Sequence, residues 1–248
     1  MFTVFKRLLS AVTRTGPTIA FVNQTTVLSD DQVKTAMNAL QIQLDRDVQP
    51  VWHVDATLYF VPAGQQPSPY AWVLYIMDTS DQAGALGYHE LTTSGNPIGR
   101  VFAKDDLSYG LSWTITASHE LLEMLLDPYV SNVAFNQETV TGGTLYAYEL
   151  CDPVEDDSVG YVINGVQVSD FVFPAWFEGW RAPNSTHFDH HGAVNAPFTL
   201  APGGYVSIFE VAPDTQGWTQ KFAENGPGKR FLTKGPHSRL RRRSSRFG

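Results

Sequence analysis

Between residues 18 and 127 the spacing of apolar positions changes period several times, and each change marks an element. Thr18-Ile-Ala-Phe-Val is a short apolar run that predicts a strand. Ser29 then offers an N-cap side chain, Asp30 and Asp31 suit a positive helix N-terminus, and Val33, Met37, Leu40 and Leu44 recur at helical spacing. Val51–Phe60, Tyr70–Met77 and Ile98–Ala103 are aromatic or β-branched runs bounded by Pro, Gly and Asp, which predicts three strands. A second helix is expected from about Leu111 to Leu126, stopped by Asp127-Pro128. The order is therefore β-α-β-β-β-α. Beyond it the pattern predicts short strands in irregular structure: Thr144–Leu150, a hairpin over Val159–Val168 and Gly204–Val211. Asn164-Gly165 between valine-rich flanks is a strong two-residue turn signal.

Composition adds a large core to this picture. Apolar residues make up 43% of 248 and aromatics 12%, which excludes disorder of the body. Charge divides the chain unevenly. The stretch from Lys229 to Arg246 has eight basic residues and no acid, so nine basic residues face all 25 acids before it, a charge of −16. An acidic body is a poor match for phosphate backbone, whereas the tail is free to contact nucleic acid, an acidic partner or the body itself. Three zones follow: a leader over residues 1–17, a globular domain over 18–225, and a basic tail over 226–248 after Gly226-Pro227-Gly228. The N-terminus lacks an apolar stretch of secretory length and nothing reaches the ~20 apolar residues of a membrane span. No signal peptide and no membrane contact are expected.

The segment Ala117-Ser-His-Glu-Leu-Leu-Glu-Met-Leu-Leu-Asp-Pro128 carries the most chemistry. On a helix His119 and Glu123, four apart, share a face and can grip one divalent ion, with Glu120 on the neighbouring flank to take a proton from water. This is the layout of a zinc-protease helix with Glu replacing the second His. The carboxylate is allowed for zinc and also hardens the site towards calcium or another divalent cation. Asp127 falls about 80° further round the same side, which makes it a candidate ligand. The same residues also occur on helices where they simply face water.

This run, followed by Tyr148-Glu-Leu-Cys-Asp-Pro-Val-Glu-Asp-Asp157, resembles a pattern in bacterial and phage-borne uncharacterised proteins. It is also similar to the plant exordium (phosphate-induced) proteins, where a His-Glu-x-x-Glu helix precedes an acidic Leu-Cys-Glu segment. Val168-Ser-Asp-Phe-Val-Phe-Pro-Ala-Trp-Phe177 and Ala196-Pro-Phe-Thr-Leu-Ala-Pro-Gly-Gly-Tyr205 extend the likeness to about residues 85–210. The resemblance implies an α+β, zincin-like fold: a mixed sheet with a backing helix and an active-site helix, then an irregular β-rich C-terminal half. Unlike exordium proteins, the chain has no secretory leader and a single Cys, which points to the cytoplasm or a virion rather than the cell exterior.

Several residues remain open between chemistry and packing. Glu149, Asp152, Glu155, Asp156 and Asp157 form either a solvated acidic loop or the source of a third ligand, Glu149 or Asp152. Cys151 beside them should have a raised thiol pKa and serve as packing. His89 and Glu90 read as an exposed loop pair, with a site role as the alternative. His187, His190 and His191 read as a surface loop, and Trp176, Phe177, Trp180 and Phe188 as core. Two functions are consistent with all this. One is a metal-dependent peptidase acting on a peptide or protein. The other is a non-catalytic virion or assembly protein that keeps a structural cation and attaches to neighbouring proteins or nucleic acid through its termini.

Overall fold

The computed structural model describes residues 14–223 apart from 83, 213, 214 and 216, so most of the leader and the whole basic tail lie outside the described residues. The protein is a mixed α/β molecule. Strand β1 (Thr18–Asn23) leads into helix α1 (Asp30–Gln43), which starts where expected. Ser29 accepts from the Gln32 amide while the Gln32 side chain accepts from the Ser29 amide, a reciprocal capping box. The helix then continues through a π-helical turn, Leu44–Val48, into α2 (Gln49–Trp52). The strand expected from Val51 is therefore shorter, β2 at Thr57–Val61. Tertiary contact decides this: the Trp52 indole donates to the Val172 carbonyl (3.0 Å) and packs edge-on against Tyr148 and Phe177.

Strands β3 (Trp72–Met77), β4 (Gly87–Leu91) and β5 (Pro97–Phe102) complete a five-stranded sheet of order β2-β1-β3-β5-β4. All neighbours are parallel except β4, which runs antiparallel to β5 at the edge. Two elements absent from the expected order are β4 itself and a short helix α3 (Ala103–Ser108). Helix α4 (Trp113–Leu126) follows. Ile19, Phe21, Leu74, Ile76 and Val101 from the sheet pack with Leu40, Leu121, Leu122 and Met124 from α1 and α4 in one core.

The C-terminal half covers α4. Strands β6 (Val133–Gln137), β7 (Gly143–Ala147), β10 (Tyr205–Val211) and β11 (Thr219–Phe222) form an antiparallel sheet of order β11-β10-β7-β6. The hairpin β8 (Tyr161–Ile163) and β9 (Val166–Val168) turns at Asn164 and Gly165 with φ of 50° and 82°, as the sequence requires. Trp176, fully buried, donates to the Thr199 carbonyl (2.7 Å) and meets Phe177, Tyr146 and Phe198 edge-on. Trp180 departs from the expected core role: it is exposed, with the Arg181 guanidinium over its ring.

Lying between the sheet and this covering layer, α4 is buried on nearly all sides. A buried polar network pins it. The Ser118 hydroxyl donates to Gln43 Oε1 (2.7 Å) and accepts from the Ser169 amide (3.1 Å), and Gln43 donates back to the Ser169 carbonyl (2.9 Å). One residue beyond this anchor stands His119.

Candidate metal centre

His119, Glu120 and Glu123 leave α4 in two directions. His119 and Glu123 face the C-terminal half, where His119 Nε2 is 3.2 Å from Glu123 Oε2 and 3.3 Å from Asp152 Oδ1. Glu123 Oε1 accepts from the backbone amides of Cys151 (3.1 Å) and Asp152 (3.2 Å), which fixes the carboxylate and presents Oε2 to the histidines. Glu120 faces β4, and its Oε2 lies 3.5 Å from His89 Nδ1. Gly87 makes this approach feasible, because a Cβ there would stand 2.8 Å from Glu120 Cγ and Oε1.

His89 is the residue whose sequence reading changes most. It lies in strand β4 rather than an exposed loop, is buried, and sits 3.9 Å from Glu123 Oε2 through Nδ1 and 3.8 Å from Glu149 Oε2 through Nε2. Its neighbour Glu90 turns the other way to pair with Arg100. Glu149 and Asp152 are both buried beside the helix, so this part of the 149–157 segment is not a solvated loop. Asp152 opens a 3-10 turn, Asp152–Val154, and its Oδ1 is buried without accepting a hydrogen bond. Tyr205 at the start of β10 is a further neighbour not anticipated from sequence: burial and the charge of Asp152 push its phenol well above its ordinary value.

Asp127 does not join the group. It leaves the helix at its C-cap with φ −126° and ψ 62°, and its Oδ1 accepts from the amides of Ser131 (2.8 Å) and Asn132 (3.0 Å) to close the following turn. The three C-terminal histidines also stay apart. His190 stacks on Phe171 and lies over Tyr161, His191 Nδ1 meets the Val159 carbonyl, and His187 is exposed.

The electrostatics are those of carboxylates short of positive charge. Burial, reinforced by Asp152 and Glu149 and opposed by His119, pushes Glu120 up to about 8. Burial and Asp152 push Glu123 likewise up to about 8. Burial alone would lower His119, but Glu123 and Asp152 hold it well above its ordinary value. The Cys151 thiol, fully buried next to these acids, is raised as expected.

The donor atoms suit a divalent ion. His119, Glu123 and Cys151 offer one ligand atom each within 4.8 Å of one another, and His89, Glu123 and Glu149 do the same. Imidazole, carboxylate and thiolate are all zinc ligands. Buried carboxylates with this little positive charge around them are costly to ionise, and a cation would offset that cost. Among the described residues no helix is long and apolar enough to cross a membrane. Comparison with protein-family models, curated proteins and solved structures finds no match for this chain.

Proposed function

We propose that the protein is a zincin-like metal-dependent hydrolase acting on peptides. The observation that carries the reading is the division of labour on α4: His119 and Glu123 belong to ligand sets, while Glu120, between them in sequence, belongs to neither and stands beside the cluster. The parallel sheet with an antiparallel edge strand, backed by the His119 helix, agrees with the zincin-like resemblance. His119, Glu123 and a third side chain from Glu149, Asp152 or Cys151 would hold the ion, with zinc favoured by the nitrogen and sulfur donors. When bound, a divalent ion supplies Lewis-acid polarisation and lowers the pKa of water.

The chain's own residues do the rest. Glu120 takes a proton from the attacking water and returns it to the leaving amine, its Oε2 standing 3.5 Å from His89 Nδ1. Ionised Glu120 is favoured once cationic charge enters the cluster, because its raised pKa comes from burial and from neighbouring acids. Among the described residues β4 is an edge strand of the sheet, the kind of position to which an extended peptide can add. Burial of the ligands supports a second reading, a structural cation in an assembly protein, since His89, His119, Glu123, Glu149 and Asp152 are only 3–6% exposed.

One experiment separates the two. Full-length protein purified without chelator is assayed for metal and for cleavage of a quenched-fluorescent peptide library. Under the hydrolase reading Glu120→Gln keeps the metal and lowers the rate roughly 10²–10⁴-fold. Bound metal with no Glu120-dependent cleavage sinks the hydrolase and leaves the structural cation. Absence of stoichiometric metal removes both.

A further inference from the structure

The two ligand sets have Glu123 in common and no other residue. One offers nitrogen, oxygen and sulfur through His119, Glu123 and Cys151; the other offers one nitrogen and two oxygens through His89, Glu123 and Glu149. All five side chains are buried. Glu123 Oε1 is committed to two backbone amides, so Oε2 is the atom that faces both histidines, 3.2 Å from His119 Nε2 and 3.9 Å from His89 Nδ1. A carboxylate oxygen placed between two imidazoles that belong to separate sets is positioned as a bridge.

Charge points the same way. Four buried carboxylates (Glu120, Glu123, Glu149 and Asp152) converge here, and histidines that ligate metal through ring nitrogen are neutral. With the Cys151 thiolate the ligand cluster carries five negative charges; one divalent ion offsets two of them and two ions offset four. Asp152 Oδ1, buried without a hydrogen bond in the protein, lies 3.3 Å from the His119 ring nitrogen and adds an acceptor beside the first set.

We propose that the protein holds two divalent ions, one on His119, Glu123 and Cys151 and one on His89, Glu123 and Glu149, with Glu123 bridging them. The inference rests on the metal-centre reading above and goes beyond it in number, ligands and selectivity. A bridged pair of this kind falls in the class of sites with ions about 3.5–4 Å apart. The thiolate-containing position selects zinc or cobalt, whereas the position with two carboxylates also accepts manganese.

The test is a Co²⁺ titration of the full-length, chelator-stripped protein, read by bound stoichiometry, absorption and electron paramagnetic resonance. Two equivalents are expected, of which one gives a thiolate-to-cobalt charge-transfer band and the second changes the resonance of the first. Cys151→Ser should abolish the band. His89→Gln should reduce the stoichiometry from two to one while keeping the band. One equivalent in the wild type, or two in His89→Gln, overturns the bridged pair and leaves the single-ion reading standing; no binding overturns both. Should His89→Gln not fold, the wild-type titration still decides. Two equivalents with no mutual effect on the resonance rule out the shared Glu123.

Discussion

Metal-free protein should lose stability as pH rises from 5 to 8, and the size of the loss follows from Glu120 and Glu123. Each is pushed from an ordinary value near 4.5 up to about 8, chiefly by burial. A carboxyl group with a raised pKa binds its proton more tightly in the folded chain than in the unfolded one. Between the two values the folded state therefore holds more protons, and stability falls with increasing pH by about 1.4 kcal/mol per unit for each group. At pH 7 each such group costs on the order of 3 kcal/mol relative to the acid form, a sizeable part of the 5–15 kcal/mol of a typical domain. His119, also raised, acts in the same direction above its ordinary value. A bound divalent ion replaces those protons and should reverse the trend, because metal competes better as the ligands deprotonate. The assay is urea denaturation at pH 5.5, 6.5 and 7.5, with chelator and with Zn²⁺. Chelated protein should show a falling midpoint and zinc-loaded protein a rising one. A midpoint that is flat or rising in chelator would refute the argument that these carboxyl groups are buried together without compensating charge.

Three substitutions probe how the site is held. Gly87→Ala places a methyl group 2.7 Å from Thr116 Cγ2 and 2.8 Å from Glu120 Cγ and Oε1, so side chains of α4 facing β4 must shift. Activity should fall roughly 10²-fold, since displacement of a reacting group by ~1 Å is enough, with a stability loss of about 1–3 kcal/mol from the overpacked contact. Gly204→Ala meets backbone instead, 2.1 Å from the Pro153 carbonyl oxygen, so the turn carrying Asp152 must shift. Chemical denaturation should show a loss of about 1–3 kcal/mol, accompanied by weaker metal retention. Gln43→Leu strips Ser118 and the Ser169 carbonyl of their shared partner and should cost about 2–4 kcal/mol in the same measurement.

What the sequence made legible depended on chain separation. His119 and Glu123 could be paired because helix geometry alone fixes residues four apart, and the Ser29 cap and the Asn164-Gly165 turn are equally local. Asp127 shows where that arithmetic fails. Eight residues on, it would share the side of His119 only if the helix continued, and Pro128 ends it one residue early. His89 was hidden for the opposite reason. It lies thirty residues before His119 on an edge strand whose partner is reached through the turn Thr92–Asn96, and Gly87-Tyr-His-Glu-Leu91 has too few apolar residues to announce a strand. Glu149 and Asp152 could be nominated but not ranked, because each depends on where β7 ends and the 3-10 turn begins. The α1–α2 run past Val51 was set by contacts of Trp52 with residues more than 95 positions away.

Glu120 bears most directly on whether the centre is catalytic or structural. A structural cation needs ligands and a dry shell around them, and Glu120 is in neither ligand set although it is buried beside both. For a purely structural role a leucine or methionine at 120 would be the more stable choice, since it removes a desolvated carboxylate and its repulsion from Asp152 and Glu149. Its burial is also built in rather than incidental. Gly87 leaves the space that the carboxylate occupies, and His89 faces it from the same strand. A hydrolase explains a carboxylate that is costly for the fold and placed next to the ligands, because a general base must be near the reacting water without being consumed as a ligand. The −16 charge of the acidic body thus includes at least one carboxylate that a cation site alone does not require.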